Sequence, residues 1–303
     1  LYYGAIDGDY GPGTKRALEV AQTSQGVGEI PELALAFEVE PGTVRQEPLV
    51  GNQGTQTAQN PGNIQYVALA FDGSKSNDFW QESRDFARRH NIKFTYFISG
   101  VYFLTKDNAK KYQGPRKRRG RSDIGFGGTR EDVIKRVDHV VAAAREGHEI
   151  ASHANGHFNG SKWTANEWRS ELRQFRDLLL NVHSNNNIPD KHGATWTNIV
   201  RRVEGMRAPL LGYGPGLWPA LQEFGYKYDT SRIRGMDFKP KRDRYGIWDF
   251  PLASLRASHG RVPSMDYNFY FKDSKGKSDP ANSRKYEERM LQAYRKYFRN
   301  NYN

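Results

Sequence analysis

From residue 64 onward, short apolar runs alternate with helical stripes. Ile64–Phe71 is nearly continuous in apolar residues and ends at Asp72-Gly73, the pattern of a strand buried on both faces of a parallel sheet. Phe79 to Asn91 predicts a helix, with Phe79, Trp80, Ser83, Phe86 and Ala87 on one face. Lys93–Ile98 predicts a second strand. Arg130 to Gly147 predicts a long helix whose stripe is Val133, Val137, Val140, Val141 and Ala144, with Gly147 as its natural stop. Glu149–Ser152 predicts a third strand, and Asn166 to Val182 another amphipathic helix. Later strands are predicted at Val203–Met206, Lys227–Asp229 and Trp248–Leu252, and a last helix at Ser283–Arg299. Alternation of this kind predicts a βα-repeat domain with a parallel sheet or barrel. In such folds the chemistry gathers at the carboxyl ends of the strands.

The first 63 residues read differently. Residues 1–27 open on a glycine-rich turn entering a helix, and Gly51–Asn63 has neither charge nor apolar periodicity, as a flexible linker would. The chain therefore divides into 1–27, a linking region 28–63 and a main domain 64–303. No run of about 20 apolar residues is present, so no membrane-spanning helix is expected.

Composition narrows the chemistry. Cysteine is absent from the 303 residues, which excludes disulfides and thiolate metal sites and leaves His and carboxylate as metal donors. The formal net charge of +12 favours acidic partners. Part of it is concentrated in Arg116-Lys117-Arg118-Arg119-Gly120-Arg121, which reads first as a solvated basic loop. With only Tyr112 nearby to stack on bases, a nucleic-acid partner is not expected.

Four predicted strand ends carry chemistry-bearing residues. Asp72 closes the first strand, where an acid must be paired, hydrogen-bonded, metal-bound or used as a turn or cap. His153-Ala154-Asn155-Gly156-His157 follows the third strand on a polar loop. Two imidazoles four residues apart can face one point, as zinc ligands do. Arg207 follows Val203–Met206, where a guanidinium can hold a carboxylate. Asp229 ends a further strand, or serves an Asx-turn.

Taken in this order, Asp, His-x-x-x-His, Arg and Asp resemble the polysaccharide deacetylase family over roughly residues 64 to 270. Gly147–His153 and Phe94–Phe97 also look like the family, and Arg207-Ala208-Pro209-Leu210-Leu211-Gly212 loosely matches its third motif. The resemblance implies a deformed (β/α) barrel that removes N-acetyl groups from an amino-sugar polymer of the cell wall, peptidoglycan or a chitin-like glycan. It implies one divalent cation, zinc first, on His153, His157 and Asp72. It also implies Asp72 as base, Arg207 orienting it, Asp229 as the fourth-motif acid, and an oxyanion donor after Pro209. Pro209, Leu210, Tyr213 and Trp218 are the expected substrate-binding residues, with Trp163 a further aromatic either for stacking on sugars or for packing. The implied partners are the N-acetylated glycan and the wall polymer, in the periplasm or outside a bacterial cell.

Two departures stand out. Gly73 replaces the motif's second aspartate, which leaves Asp72 or another acid such as Asp78 to complete the ligand set. No histidine of the family's last motif follows Asp266; His259, the last histidine of the chain, precedes it. Residues Gly4–Ala17 separately resemble the second half of a three-helix peptidoglycan-binding module. Together these features lead to the expectation that the chain is cut at both ends. The competing expectation is an inactive wall-binding protein on a degenerate deacetylase fold.

Overall fold

The structure, a computed structural model, describes residues 67–302 except positions 237 and 259. The expected binding-module half and linker, the start of the first predicted strand, and His259 lie outside the described residues.

Five strands and the helices between them follow the predicted alternation. They are β1 (Ala70–Gly73), α1 (Asn77–Arg89), β2 (Thr95–Ile98), α2 (Arg130–Arg145), β3 (Glu149–Ser152), α3 (Ala165–Leu180), α4 (Val182–Asn186), α5 (Ala194–Arg201), β4 (Gly205–Met206), α6 (Leu217–Glu223) and β5 (Tyr228–Asp229). Short strands β6 (Ile233–Arg234), β7 (Lys241–Arg242), β8 (Trp248–Asp249), β9 (Leu252–Ala257) and β10 (Gly260–Pro263) follow, then α7 (Asp266–Ser274) and α8 (Ser283–Tyr302). The larger sheet has the order β1-β2-β3-β4-β5-β8-β7, parallel throughout except for the β7–β8 pair. A second sheet, β10-β9-β6, carries its own small core of Leu255, Val262, Phe269, Met290 and Ala293.

Local chemistry sets the helix boundaries. α1 starts two residues before the predicted Phe79 because the Ser76 hydroxyl accepts from the Phe79 amide. α2 and α3 begin in capping boxes, Thr129 with Asp132 and Thr164 with Glu167. Gly147 follows α2 at φ 83, as expected of a residue that ends a helix. The predicted strand Trp248–Leu252 splits into β8 and β9 at Pro251, which has no N–H to give a ladder.

Register positions the site. Gly73, Ile98, Ser152, Met206, Asp229 and Asp249 form one row across the parallel strands. Side chains alternate faces along a strand. The row before it, with Asp72, Phe97, Ala151 and Tyr228, and the row after it, with His153, Arg207 and Thr230, therefore share one face. That face holds a small cluster of Phe97, Ala151 and Tyr228. The opposite face carries the main core, in which Phe71, Ile98, Ile150 and Met206 meet the helices.

β4 and β5 fit closely at Gly205, where an added Cβ would lie 2.0 Å from the Tyr228 ring. Gly205→Ala should destabilise the domain by roughly 1–3 kcal/mol through overpacking, seen as a lower urea midpoint. An unchanged midpoint would show that Tyr228 moves aside freely.

Candidate active site

The shared face brings Asp72, His153 and Arg207 together. Arg207 Nη1 donates to Asp72 Oδ1 at 2.7 Å, and both side chains are buried. The guanidinium lies 4.4 Å from the centre of the Phe97 ring, while its Nε donates to Thr230 Oγ1 at 2.8 Å. Three contacts thus fix one arginine, and the small Ala151 on β3 leaves it room to lie across the sheet. Burial pushes the Asp72 carboxyl up, but Arg207, then His153 and His157, outweigh it and hold the group below the usual carboxylate range. Asp72 is thereby kept ionised. With Oδ1 taken by Arg207, Oδ2 is the oxygen left for a proton or a cation.

His153 continues the β3 ladder, its amide bonding Ile98 O at 2.8 Å. Its Nδ1 lies 2.7 Å from the Arg207 carbonyl. A carbonyl only accepts, so Nδ1 carries the proton and Nε2 is bare, the tautomer a metal ligand needs. The His157 ring stands 5.2 Å from that of His153, centre to centre. Burial pushes both imidazoles down, His157 to about 4, so both are neutral at neutral pH. Two neutral imidazoles and an ionised carboxylate are a donor set suited to zinc. As they stand, no three His, Asp or Glu side chains among the described residues gather closely enough to hold an ion.

The other expected site residues fall into place unevenly. Asp229 is buried and in the Met206 row, so it faces away from Asp72 and Arg207. It accepts from the Ser231 amide at 3.0 Å and from the Ser231 hydroxyl at 2.7 Å; that hydroxyl in turn accepts from the Ala208 amide at 2.8 Å. Asp229 therefore supports the turn after Arg207 at one remove. Burial pushes its carboxyl up to about 7, with Asp249 adding to the rise. Pro209 is buried at the start of that turn. Leu210 (φ 57) and Tyr213 are 57% and 37% exposed, displayed to solvent beside the site. Trp218 is buried under the Arg232 guanidinium, 3.8 Å from its ring centre, and Trp163 packs on Trp168 at 4.8 Å. Packing, not an open stacking face, is the role of both tryptophans here. Asp78 does not complete the ligand set: it is exposed in the first turn of α1, and the histidine whose charge it affects is His139. Gly73 has φ 82, a conformation in which any side chain, an aspartate's included, is strained.

The histidine loop is held from beneath by residues that give no signal in the sequence. Glu171, fully buried in α3, accepts from Tyr112 Oη at 3.0 Å and from the Asn155 amide at 3.0 Å. Tyr112 Oη also accepts from the Gly156 amide at 3.1 Å, and Asn155 Nδ2 donates to the Glu171 carbonyl at 2.8 Å. These bonds fix a loop in which Ala154 and His157 take φ 52 and 58. On the neighbouring loops, buried Arg136 donates to the carbonyls of Lys75, Tyr102 and Gly127. Only burial distinguishes Glu171 from the solvated glutamates of other helices, and burial is not written in its sequence neighbourhood.

Burial raises the Glu171 carboxyl from its usual 4.5 to about 7, despite the bonds from Tyr112 and Asn155. A carboxyl raised by folding stabilises most below its unfolded value. The contribution is lost between about pH 4.5 and 7, on the order of 3 kcal/mol in all. Glu171→Gln should remove that slope, so that urea denaturation at pH 5 and pH 7.5 gives closer midpoints than in the wild type. Equal slopes in both proteins would refute the assignment.

Residues 59–188 match the family model for polysaccharide deacetylase. A stretch of 119 residues is 27% identical to a peptidoglycan-N-acetylglucosamine deacetylase of Bacillus cereus, covering 39% of this chain and 32% of that protein. The chain thus spans about a third of that relative. Among solved structures, a putative polysaccharide deacetylase from Mycobacterium smegmatis is 16% identical at a TM-score of 0.36, covering 61% of this chain and 58% of that one. A polysaccharide deacetylase from Bacillus cereus is 18% identical at a TM-score of 0.33, covering 55% and 60%. The segment that matches the polysaccharide deacetylase model contains Asp72, His153 and His157, with Arg207 beyond its end.

Proposed function

We propose that this domain hydrolyses the N-acetyl groups of an amino-sugar polymer, peptidoglycan first and a chitin-like glycan second, at the bacterial cell envelope. The observation that carries the reading is Asp72, ion-paired to Arg207, on the same sheet face as His153, whose ring neighbours that of His157. No helix among the described residues is long and apolar enough to cross a membrane.

His153 and His157 would hold one divalent cation, zinc first, leaving Asp72 Oδ2 as the base; the cation would supply polarisation of the acetamide carbonyl and a more acidic water. Asp72 Oδ2 takes the proton of the attacking water as its oxygen bonds to the carbonyl carbon. The C–N bond then breaks, acetate leaves, and the proton passes to the departing amine. Arg207 keeps the carboxylate ionised and aimed. The amide of Leu210, in the turn that Asp229 supports through Ser231, is the oxyanion donor of this scheme. Leu210 and Tyr213 offer exposed contact for the sugar.

A second reading is an inactive glycan-binding protein on the same fold, favoured by Gly73 and by the open spacing of the ligand set. Acetate release from N-acetylated glycan, measured with added zinc, separates the two. The wild type should bind about one equivalent of zinc, and His157→Ala should lose most of it. Asp72→Asn should lower the rate by roughly 10²–10⁴-fold, the scale for losing a general base, with its circular dichroism unchanged. Glycan binding without acetate release in the zinc-loaded wild type would establish the inactive reading.

A further inference from the structure

The basic run is not a detached loop. Lys110 to Arg121 holds seven basic residues and no acid. The turn that carries it packs against both neighbours of His157. On one side the Gly156 amide donates to Tyr112 Oη at 3.1 Å, and the Gly156 carbonyl accepts from the Asp123 amide at 2.9 Å. On the other, Lys117 Nζ sits 4.8 Å from the Phe158 ring centre, and a Cβ on Gly114 would lie 2.5 Å from that ring. The same turn is tied to α3: Gln113 and Gln174 exchange two bonds, and Arg116 pairs with Glu167. Its own backbone is closed by Gly120 N to Tyr112 O at 2.8 Å and Lys117 N to Gly114 O at 3.0 Å.

The charge on this fixed turn is largely unspent. Arg116 has its carboxylate, but Lys110, Lys111, Lys117, Arg118, Arg119 and Arg121 have none among the described residues, and all six are exposed. Like charges crowded on a rigid backbone raise the free energy of the domain unless an anion meets them. A merely solubilising loop has no need to be bonded to the histidine loop.

We propose that this turn is a substrate subsite: a cationic rim beside His157 that takes carboxylates carried by the same glycan strand whose N-acetyl groups are removed. The substrate class is then an N-acetylated polymer bearing carboxylates along its length, as peptidoglycan does, in preference to a neutral chitin-like chain. This rests on the deacetylase reading and sharpens it, since a rim of one sign steers and aligns an anionic chain before any chemistry begins.

The test uses the full chain and the triple variant Arg118→Glu, Arg119→Glu, Arg121→Glu, with Arg118→Gln, Arg119→Gln, Arg121→Gln as a milder form. These side chains make little of the fold, the best contact being Arg119 Nη1 to the Lys110 carbonyl at 3.5 Å; thermal melts confirm folding in each. The readout is kcat/KM for acetate release from carboxylated peptidoglycan strands divided by that from neutral chitooligosaccharide. The ratio should fall on the order of tenfold in the Glu variant, less in the Gln variant, and in the wild type should fall with added salt. An unchanged ratio, or an equal loss on both substrates, overturns the proposal. If the wild type releases no acetate from either glycan, the deacetylase reading fails, and the rim is judged by co-sedimentation with peptidoglycan strands before and after amidation of their carboxylates. Binding that amidation and the Glu variant both abolish supports the rim, whereas binding indifferent to either overturns it. Single-stranded DNA that displaces the glycan at equal concentration also overturns it, in favour of unspecific polyanion binding.

Discussion

One ion pair organises the site. Asp72 and Arg207 belong to strands with two others between them, and three strand spacings amount to about 14 Å along a flat sheet. Their rows are also offset by two residues. Side chains standing off a flat surface do not close that span to the 2.7 Å observed. The sheet must therefore curve toward the face that carries them, and Ala151, small and in between, gives the guanidinium its path. The buried pair and the curvature imply one another. Removing either partner leaves the other charged and dry, at a cost of roughly 3–5 kcal/mol. The neutral variant Asp72→Asn is for that reason a test of chemistry and of stability together.

Much of this was legible in the sequence. The alternation of strand and helix and the polar strand ends follow from apolar runs that stop at polar residues, and the grouping of Asp72, His153 and Arg207 follows from the family resemblance. The pleat was harder to read. Asp72 and Asp229 look alike as strand-end acids, yet one is a row earlier than the other, and a shift of one residue reverses the face. Asp229 consequently meets Ser231 and not Arg207. A two-residue strand such as β5 shows too little alternation for its register to be read without its neighbours.

The aromatics illustrate a second limit. Trp163, Tyr213 and Trp218 are equivalent candidates for stacking on sugars when only the sequence is known. Long-range contacts separate them: Trp168 covers Trp163, Arg232 covers Trp218, and Tyr213 alone keeps a large exposed face. Thr230 was equally hidden, since nothing local marks the hydroxyl that receives Arg207 Nε.

The histidine loop shows where folding free energy is spent on function. Ala154 and His157 occupy left-handed backbone that non-glycine residues avoid, at about 1–2 kcal/mol each. Glu171 sits fully buried beneath them, its carboxyl shifted to about 7. At neutral pH neither feature helps the domain to fold. Both make sense if the loop must hold His157 against its own backbone preference, because the bonds from Asn155 and, through Tyr112, from Gly156 set the turn between the two imidazoles. The basic turn completes the clamp from the outer side at Gly156 and Phe158. The spacing of His153 and His157 is thus held by two segments far from each other in sequence, the basic turn and α3. A five-residue motif alone names the two histidines but does not determine where they point.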